Sequence, residues 1–160
     1  PITTHLPLKD VAKNITKHKI FSHVNLIMDF YKKKFRKIPR IAVTGLNPHC
    51  ESNLKNFEEK SIISPAIKKL RIKKLNVSGP FPADTVFMKD NLKKYDVIIG
   101  MYHDQVLTPI KTLFGFDAIN ITLGLPYLRV SPDHGPNEIM VGKNTSNPRS
   151  LMLALKFLDN

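Results

Sequence analysis

Cysteine is almost missing from this chain, and its scarcity excludes several chemistries. Cys50 is the single cysteine among 160 residues, so no disulfide closes within the sequence and no CxxC redox or zinc pair is present. Long apolar runs are missing too. No stretch approaches the roughly 20 residues of a bilayer span, and the opening PITTHLPLKD lacks the charged-then-apolar pattern of a secretory signal. A cytoplasmic protein without membrane partners is therefore expected. The chain does not begin with methionine and opens on what reads as the end of a strand, so an amino-terminal portion is expected to be missing. There is also no GxGxxG fingerprint of the Rossmann dinucleotide site.

Acidic residues are few, 13 against 25 Lys and Arg, for a formal net charge of +12. Such an excess raises the question of nucleic acid, because basic side chains neutralise phosphates and release counterions. Its distribution argues for a solvated face instead. Residues 1–40 hold ten basic side chains against Asp10 and Asp29, and the densest run, Lys32 to Lys37, lies at an expected helix C-terminus, where cations complement the dipole. Aromatics do not interleave with these charges in the pattern that stacks bases, and no zinc-finger spacing occurs. A non-catalytic basic binding module is the remaining alternative of this kind.

With 42% apolar residues, the chain suffices for one globular α/β segment over 1–160. Strand and helix patterns alternate, which predicts a mostly parallel sheet with helices on both faces. The expected order is a helix capped by Ser22 and running to Phe35, a buried strand Arg40–Thr44, and a helix Glu58–Leu70 disturbed near Pro65. A short strand Lys74–Ser78 and a proline-stiffened loop Gly79–Asp84 follow. Tyr95–Met101 reads as the central strand, followed by a helix from about Asp104 to Phe114 and a strand Ala118–Leu123. Leu125–Gly135 reads as a loop with room for a short strand, and Ser150–Leu158 as a closing helix.

In parallel sheets, ligands gather beyond the carboxyl ends of the strands. That rule selects His5, His49 and His103, each placed shortly after a strand pattern. Asp84 and Asp104 accompany them. Three imidazoles leaving a fourth position open are a recurrent catalytic metal arrangement. A histidine at a strand end is as readily a hydrogen-bonded structural residue, and position alone leaves both readings open. Lys111 and Arg129 suit a phosphate or carboxylate, Lys as a point charge and Arg as a fork. Asn120, alternating with Ile119 and Ile121, needs a polar partner that a substrate would supply. His18 and His23 read as surface residues, and His134 as a loop or substrate residue.

Taken together, TTHLPL, VTGLNPH, GPFPADT, MYHDQ with a lysine eight residues beyond its histidine, and NITLGLPYLR resemble the carboxy-terminal half of the 4-hydroxythreonine-4-phosphate dehydrogenase family of vitamin B6 biosynthesis. The resemblance implies a fold like isocitrate and isopropylmalate dehydrogenases, with a divalent metal (zinc, cobalt or magnesium) on His5, His49 and His103. It implies substrate contacts from Lys111, Asn120 and Arg129, and places Asp84 near the metal. Asp84 and Asp104 are then candidates to relay a proton or, preferably, to orient a ligand histidine. The implied reaction is oxidation of a secondary alcohol by NAD or NADP, followed by loss of carbon dioxide. The implied substrate is 4-(phosphooxy)-threonine, a small phosphorylated hydroxy amino acid, which the resemblance would place in a homodimer with a shared active site. A sister dehydrogenase of another phosphorylated hydroxy acid is the alternative within this chemistry. The chain departs from the family pattern after LNPH, where CESNLKNFEEK replaces a glycine-rich stretch, and at DHGPN, where Pro136 and Asn137 replace a small hydroxylated pair.

Overall fold

β1, Ile41–Thr44, is buried on both faces along its whole length, and the rest of the sheet forms around it. The computed structural model describes residues 1–50, 57–136 and 138–159. Most of CESNLKNFEEK, together with Asn137 of DHGPN, lies outside the described residues. The expected α/β segment gathers into two compact units, Pro1–Leu107 and Thr108–Asn160.

In the first unit, β1 pairs in parallel with β2, Val77–Phe81, on one side and with β3, Val97–Ile99, on the other. Side chains alternate across β1 with period two. Ile41 and Val43 enter a core with Val77, Ile99, Val11 of α1 (Leu8–Asn14), Ile20 and Val24 of α2 (Lys17–Phe35), and Ala66, Ile67 and Leu70 of α3 (Ser64–Ile72). Ala42 faces the other way. It meets Val86 of α4 (Ala83–Val86), Phe87, and Val106 of α6 (His103–Phe114), while α5, Lys89–Leu92, connects towards β3. Helices thus cover both faces of a parallel sheet, as expected. Full burial of each large aliphatic side chain contributes about 1.5–3 kcal/mol, which makes this two-sided packing the main stabilising term.

Several expected boundaries are corrected. α2 starts at Lys17, because Thr16 Oγ1 accepts from Lys19 N–H at 3.1 Å and caps it six residues before Ser22 would. β2 begins at Val77 and runs through Gly79 and Pro80, which were read as loop. Proline is tolerated because β2 is an edge strand. Gly79, at φ 131°, is needed there because a Cβ would lie 2.3 Å from the Val43 carbonyl oxygen. The strand in YDVIIGM shortens to Val97–Ile99 and flanks β1, which takes the central place. Residues 1–4 form no strand, although Ile2 N–H and Thr3 N–H donate to the carbonyls of Gly100 and Met101 just beyond β3. The helix disturbed near Pro65 is a π-turn, Glu59–Ile63, leading into α3. α1, α4 and α5 are too short to show a helical period and were not anticipated.

In the second unit, β4 (Ile119–Thr122) and β5 (Arg129–Pro132) form an antiparallel pair packed by α7, Arg149–Asp159. The short strand foreseen within Leu125–Gly135 is β5. Ser150, 1% exposed, donates to the Ala118 carbonyl at 2.6 Å and accepts from Asp133 N–H at 3.1 Å. Arg149 pairs with Asp117. Among the described residues no helix is long and apolar enough to cross a membrane.

At the start of β1 and β3 in the first unit, Asp96 accepts from Arg40 N–H at 2.9 Å, Arg40 Nε at 3.1 Å and Lys37 Nζ at 2.7 Å. The Arg40 guanidinium, then Lys37, then the Arg40 backbone amide hold the Asp96 carboxyl well below its ordinary value of 3.8. A carboxylate depressed in the folded state stabilises the fold above its unfolded pKa and stops doing so as pH falls through the folded one. Asp96→Asn is therefore expected to lower the thermal midpoint at neutral pH. The gap to the wild type should shrink below about pH 4, as thermal unfolding across pH 2–7 would show.

Candidate functional site

The carboxyl ends of β1 and β3 are joined by one buried side chain. Gln105, 8% exposed, follows His103 in the first turn of α6. Its Oε1 accepts from Thr44 Oγ1 at 2.8 Å and from Met101 N–H at 2.6 Å, while its Nε2 donates to the Gly45 carbonyl at 2.8 Å. Thr3 Oγ1 adds a bond to the Met101 carbonyl at 2.8 Å. The segments leading to His5, His49 and His103 are thereby held at one rim.

His5 and His103 come together. Their ring centroids lie 5.5 Å apart at 50°, and both line a cleft of about 450 Å³ with Thr3, Tyr102 and Asp104. His103 Nδ1 lies 2.6 Å from Asp104 Oδ1. With the proton on Nδ1, Nε2 keeps its lone pair for a metal, the usual arrangement of a carboxylate-oriented ligand. His49 and Asp84 come together separately, in a cleft of about 280 Å³ that also includes Tyr102 and Gln105. The two clefts share Tyr102 in their walls. Among the described residues no three His, Cys, Asp or Glu side chains group as a ready metal site. The donor chemistry nevertheless suits a borderline divalent ion, two imidazoles being adjacent and one of them oriented by a carboxylate. His5 and His49 both adopt left-handed backbone, φ 52° and 56°, a strain of about 1–3 kcal/mol each that persists where the surroundings impose it, often at functional sites.

Lys111, Asn120 and Arg129 belong to the second unit. The register pairs Asn120 with Ser131 and Thr122 with Arg129, so Asn120, Thr122, Arg129 and Ser131 share one face of the hairpin. Thr122 Oγ1 accepts from Arg129 Nη1 at 2.9 Å, which orients the fork. Lys111 Nζ donates to the Asp133 carbonyl at 2.6 Å and lies 3.5 Å from its carboxylate. Of the residues expected only on the surface, His23 donates from Nδ1–H to the Lys19 carbonyl, 2.8 Å away. The His134 ring lies tilted at 51° to that of Phe116, with centroids 6.3 Å apart.

Comparison with known proteins identifies the chain's relatives. The family model described as "Pyridoxal phosphate biosynthetic protein PdxA" matches residues 1–158. The chain belongs to this family. A 4-hydroxythreonine-4-phosphate dehydrogenase from Sulfurihydrogenibium sp. (strain YO3AOP1) is 48% identical over 157 residues, covering 97% of this chain and 48% of the relative. The crystal structure of the Klebsiella pneumoniae 4-hydroxythreonine-4-phosphate dehydrogenase superposes with a TM-score of 0.82 at 35% identity, over 98% of this chain and 48% of that one. A terephthalate 1,2-cis-dihydrodioldehydrogenase from Burkholderia xenovorans LB400, at 24% identity and a TM-score of 0.75 over 97% of this chain and 50% of that one, shares the fold. The chain spans about half the length of the curated relatives it matches.

Sequence reading passed over Gln105, Tyr102, Glu59, Thr122 and Asp133. Glu59 had a legible signal: it falls in register with the buried stripe Ile63, Ala66, Ile67 and Leu70, and a carboxylate on an apolar stripe calls for a partner. Gln105 had only its neighbourhood, two residues past His103. Gln105→Leu would strand the Met101 N–H, the Gly45 carbonyl and the Thr44 hydroxyl in the interior. At about 1–3 kcal/mol per unsatisfied group, it is expected to destabilise by about 3–5 kcal/mol, read from urea unfolding.

Proposed function

We propose that the protein carrying this chain oxidises and decarboxylates 4-(phosphooxy)-threonine with NAD or NADP in pyridoxal phosphate biosynthesis. Residues 1–160 act in it as one metal-binding and partly substrate-binding segment. The observation that carries the reading is the pairing of His5 with His103, oriented by Asp104, in a chain of this family. His5, His49 and His103 would hold a divalent ion, zinc, cobalt or magnesium. When bound, the ion polarises the substrate hydroxyl and stabilises the negative charge that develops as carbon dioxide leaves.

The remaining residues bind and orient. Asp104 fixes the His103 ring through Nδ1, and Asp84, which lines the same cleft as His49, would do the same for it. Either carboxylate is also a candidate to relay a proton. Arg129 and Lys111 would take the phosphate and the carboxylate, with Asn120 donating beside Arg129 on the same hairpin face. Lys111 would exchange its Asp133 carbonyl bond for the substrate. Exposed Leu151, Met152 and Leu155 on α7 support a partner surface, in this reading that of a homodimer. The lack of a membrane-crossing helix among the described residues fits a cytoplasmic enzyme.

Calorimetric titration of the full-length protein with zinc, cobalt and magnesium tests the ligand set. His5→Ala, His49→Ala and His103→Ala are each expected to weaken binding about 100-fold or more, and Asp104→Asn about 10-fold. Unchanged binding in both His49→Ala and His103→Ala would sink the assignment. NAD or NADP reduction on 4-(phosphooxy)-threonine, against a panel of other phosphorylated hydroxy acids, tests the substrate; faster turnover of another acid identifies a sister dehydrogenase. Residues 1–160 expressed alone should reduce the cofactor negligibly, because they span only about half the length of the relatives named as dehydrogenases.

A further inference from the structure

Glu59 is a carboxylate with 1% of its surface exposed, at a position where the surrounding stripe is apolar. Burying a charge is costly unless its hydrogen-bonding capacity is met. Three donors from a single short loop meet it. Leu46 N–H and Asn47 N–H both donate to Oε1 at 2.7 Å, and the Asn47 side-chain amide donates to Oε2 at 2.9 Å. The same amide nitrogen donates to Glu58 Oε2 at 3.1 Å. An ionised carboxylate only accepts, so it matches a set made wholly of donors, and bonds to a charged acceptor are the stronger kind. Glu59 also opens the π-turn Glu59–Ile63, a local widening that recurs at functional sites.

The loop gripped in this way carries His49. His49 and Cys50 both have left-handed backbone, φ 56° and 58°, and two successive non-glycine residues in that region need an external hold. The loop closes directly onto the carboxylate. A Cβ added at Gly45 would lie 3.0 Å from Glu59 Oε1 and 2.7 Å from Cys50 Sγ.

We infer that Glu59 is a positioning residue: by binding Leu46 and Asn47 its buried carboxylate fixes the loop 45–50 and so sets how His49 is presented at the carboxyl rim of the sheet. The consequence for metal binding rests on the proposed role of His49; the hold on the loop does not.

The experiment uses metal-free full-length protein and two readouts. One is the rate at which Cys50 reacts with a thiol reagent, followed on its own peptide by mass spectrometry. The other is calorimetric titration with zinc alone. Glu59→Ala and Gly45→Ala are expected to speed Cys50 modification about tenfold and to weaken zinc binding by about 10–100-fold. Glu59→Gln keeps an oxygen for the two backbone N–H groups but loses the acceptor for the Asn47 amide, so it should fall between the wild type and Glu59→Ala in both, a graded rescue that general loss of stability would not give. Wild-type Cys50 reactivity in folded Glu59→Ala and Gly45→Ala overturns the inference. If Glu59→Ala does not fold, Gly45→Ala decides by the same criterion. Failure of the metal reading looks different, since His49→Ala then leaves zinc binding unchanged while Cys50 still responds to Glu59 and Gly45.

Discussion

The carboxamide of Gln105 occupies the point where the ends of β1 and β3 and the first turn of α6 meet. A carboxamide is the one side-chain group that offers an acceptor and two donors in one plane, and here the acceptor takes two bonds while a donor closes a third. Inside a protein such a network is strong when complete and costly when broken. Completeness therefore dictates geometry: Thr44, Gly45 and Met101 must lie where the amide can reach them all. The Thr3 hydroxyl extends the same logic to the segment before His5.

Everything chemically interesting in the first unit hangs on that knot. His103 leads into Gln105 through Asp104, His5 follows Thr3 by two residues, and the loop bearing His49 leaves from Gly45. Buried side chains grip that loop at two points: the Gln105 amide donates to the Gly45 carbonyl at its root, and the Glu59 carboxylate accepts from Leu46 and Asn47 farther along. The apolar core beneath supplies the bulk of the stability but is indifferent to direction. Polar bonds at the rim supply the direction, and the metal and substrate site proposed there would need direction above all.

The second unit repeats the division of labour in a smaller way. α7 packs on the hairpin, and Ser150 ties Ala118 to Asp133 so that the turn holding Lys111 is fixed. The strand period places Asn120 and Arg129 on one face, and Thr122 aims the guanidinium. A hairpin whose guanidinium is already held by Thr122 suits the anionic substrate proposed for it, because less ordering is left for the moment of binding.

Much of this was legible in the residues. Alternating strand and helix periods gave the α/β class with helices on both faces, and the strand-end rule singled out His5, His49 and His103. The ordered motifs from TTHLPL to NITLGLPYLR pointed to the family. Local periodicity records how often a side chain is buried, and burial period is a property of neighbouring residues. It cannot say which distant groups pair. Thr44 and Gln105 are 61 residues apart and Thr3 and Met101 are 98 apart, so the knot at the rim appears only once the chain is folded. The same reason explains why β1 rather than the strand of YDVIIGM is central, and why Pro80 sits in a strand: an edge position is decided by the neighbour that is missing. Sequence alone determined the elements and the chemistry available. Tertiary structure decided which of those groups meet, bringing His5 to His103, His49 to Asp84, and the loop of His49 onto the carboxylate of Glu59.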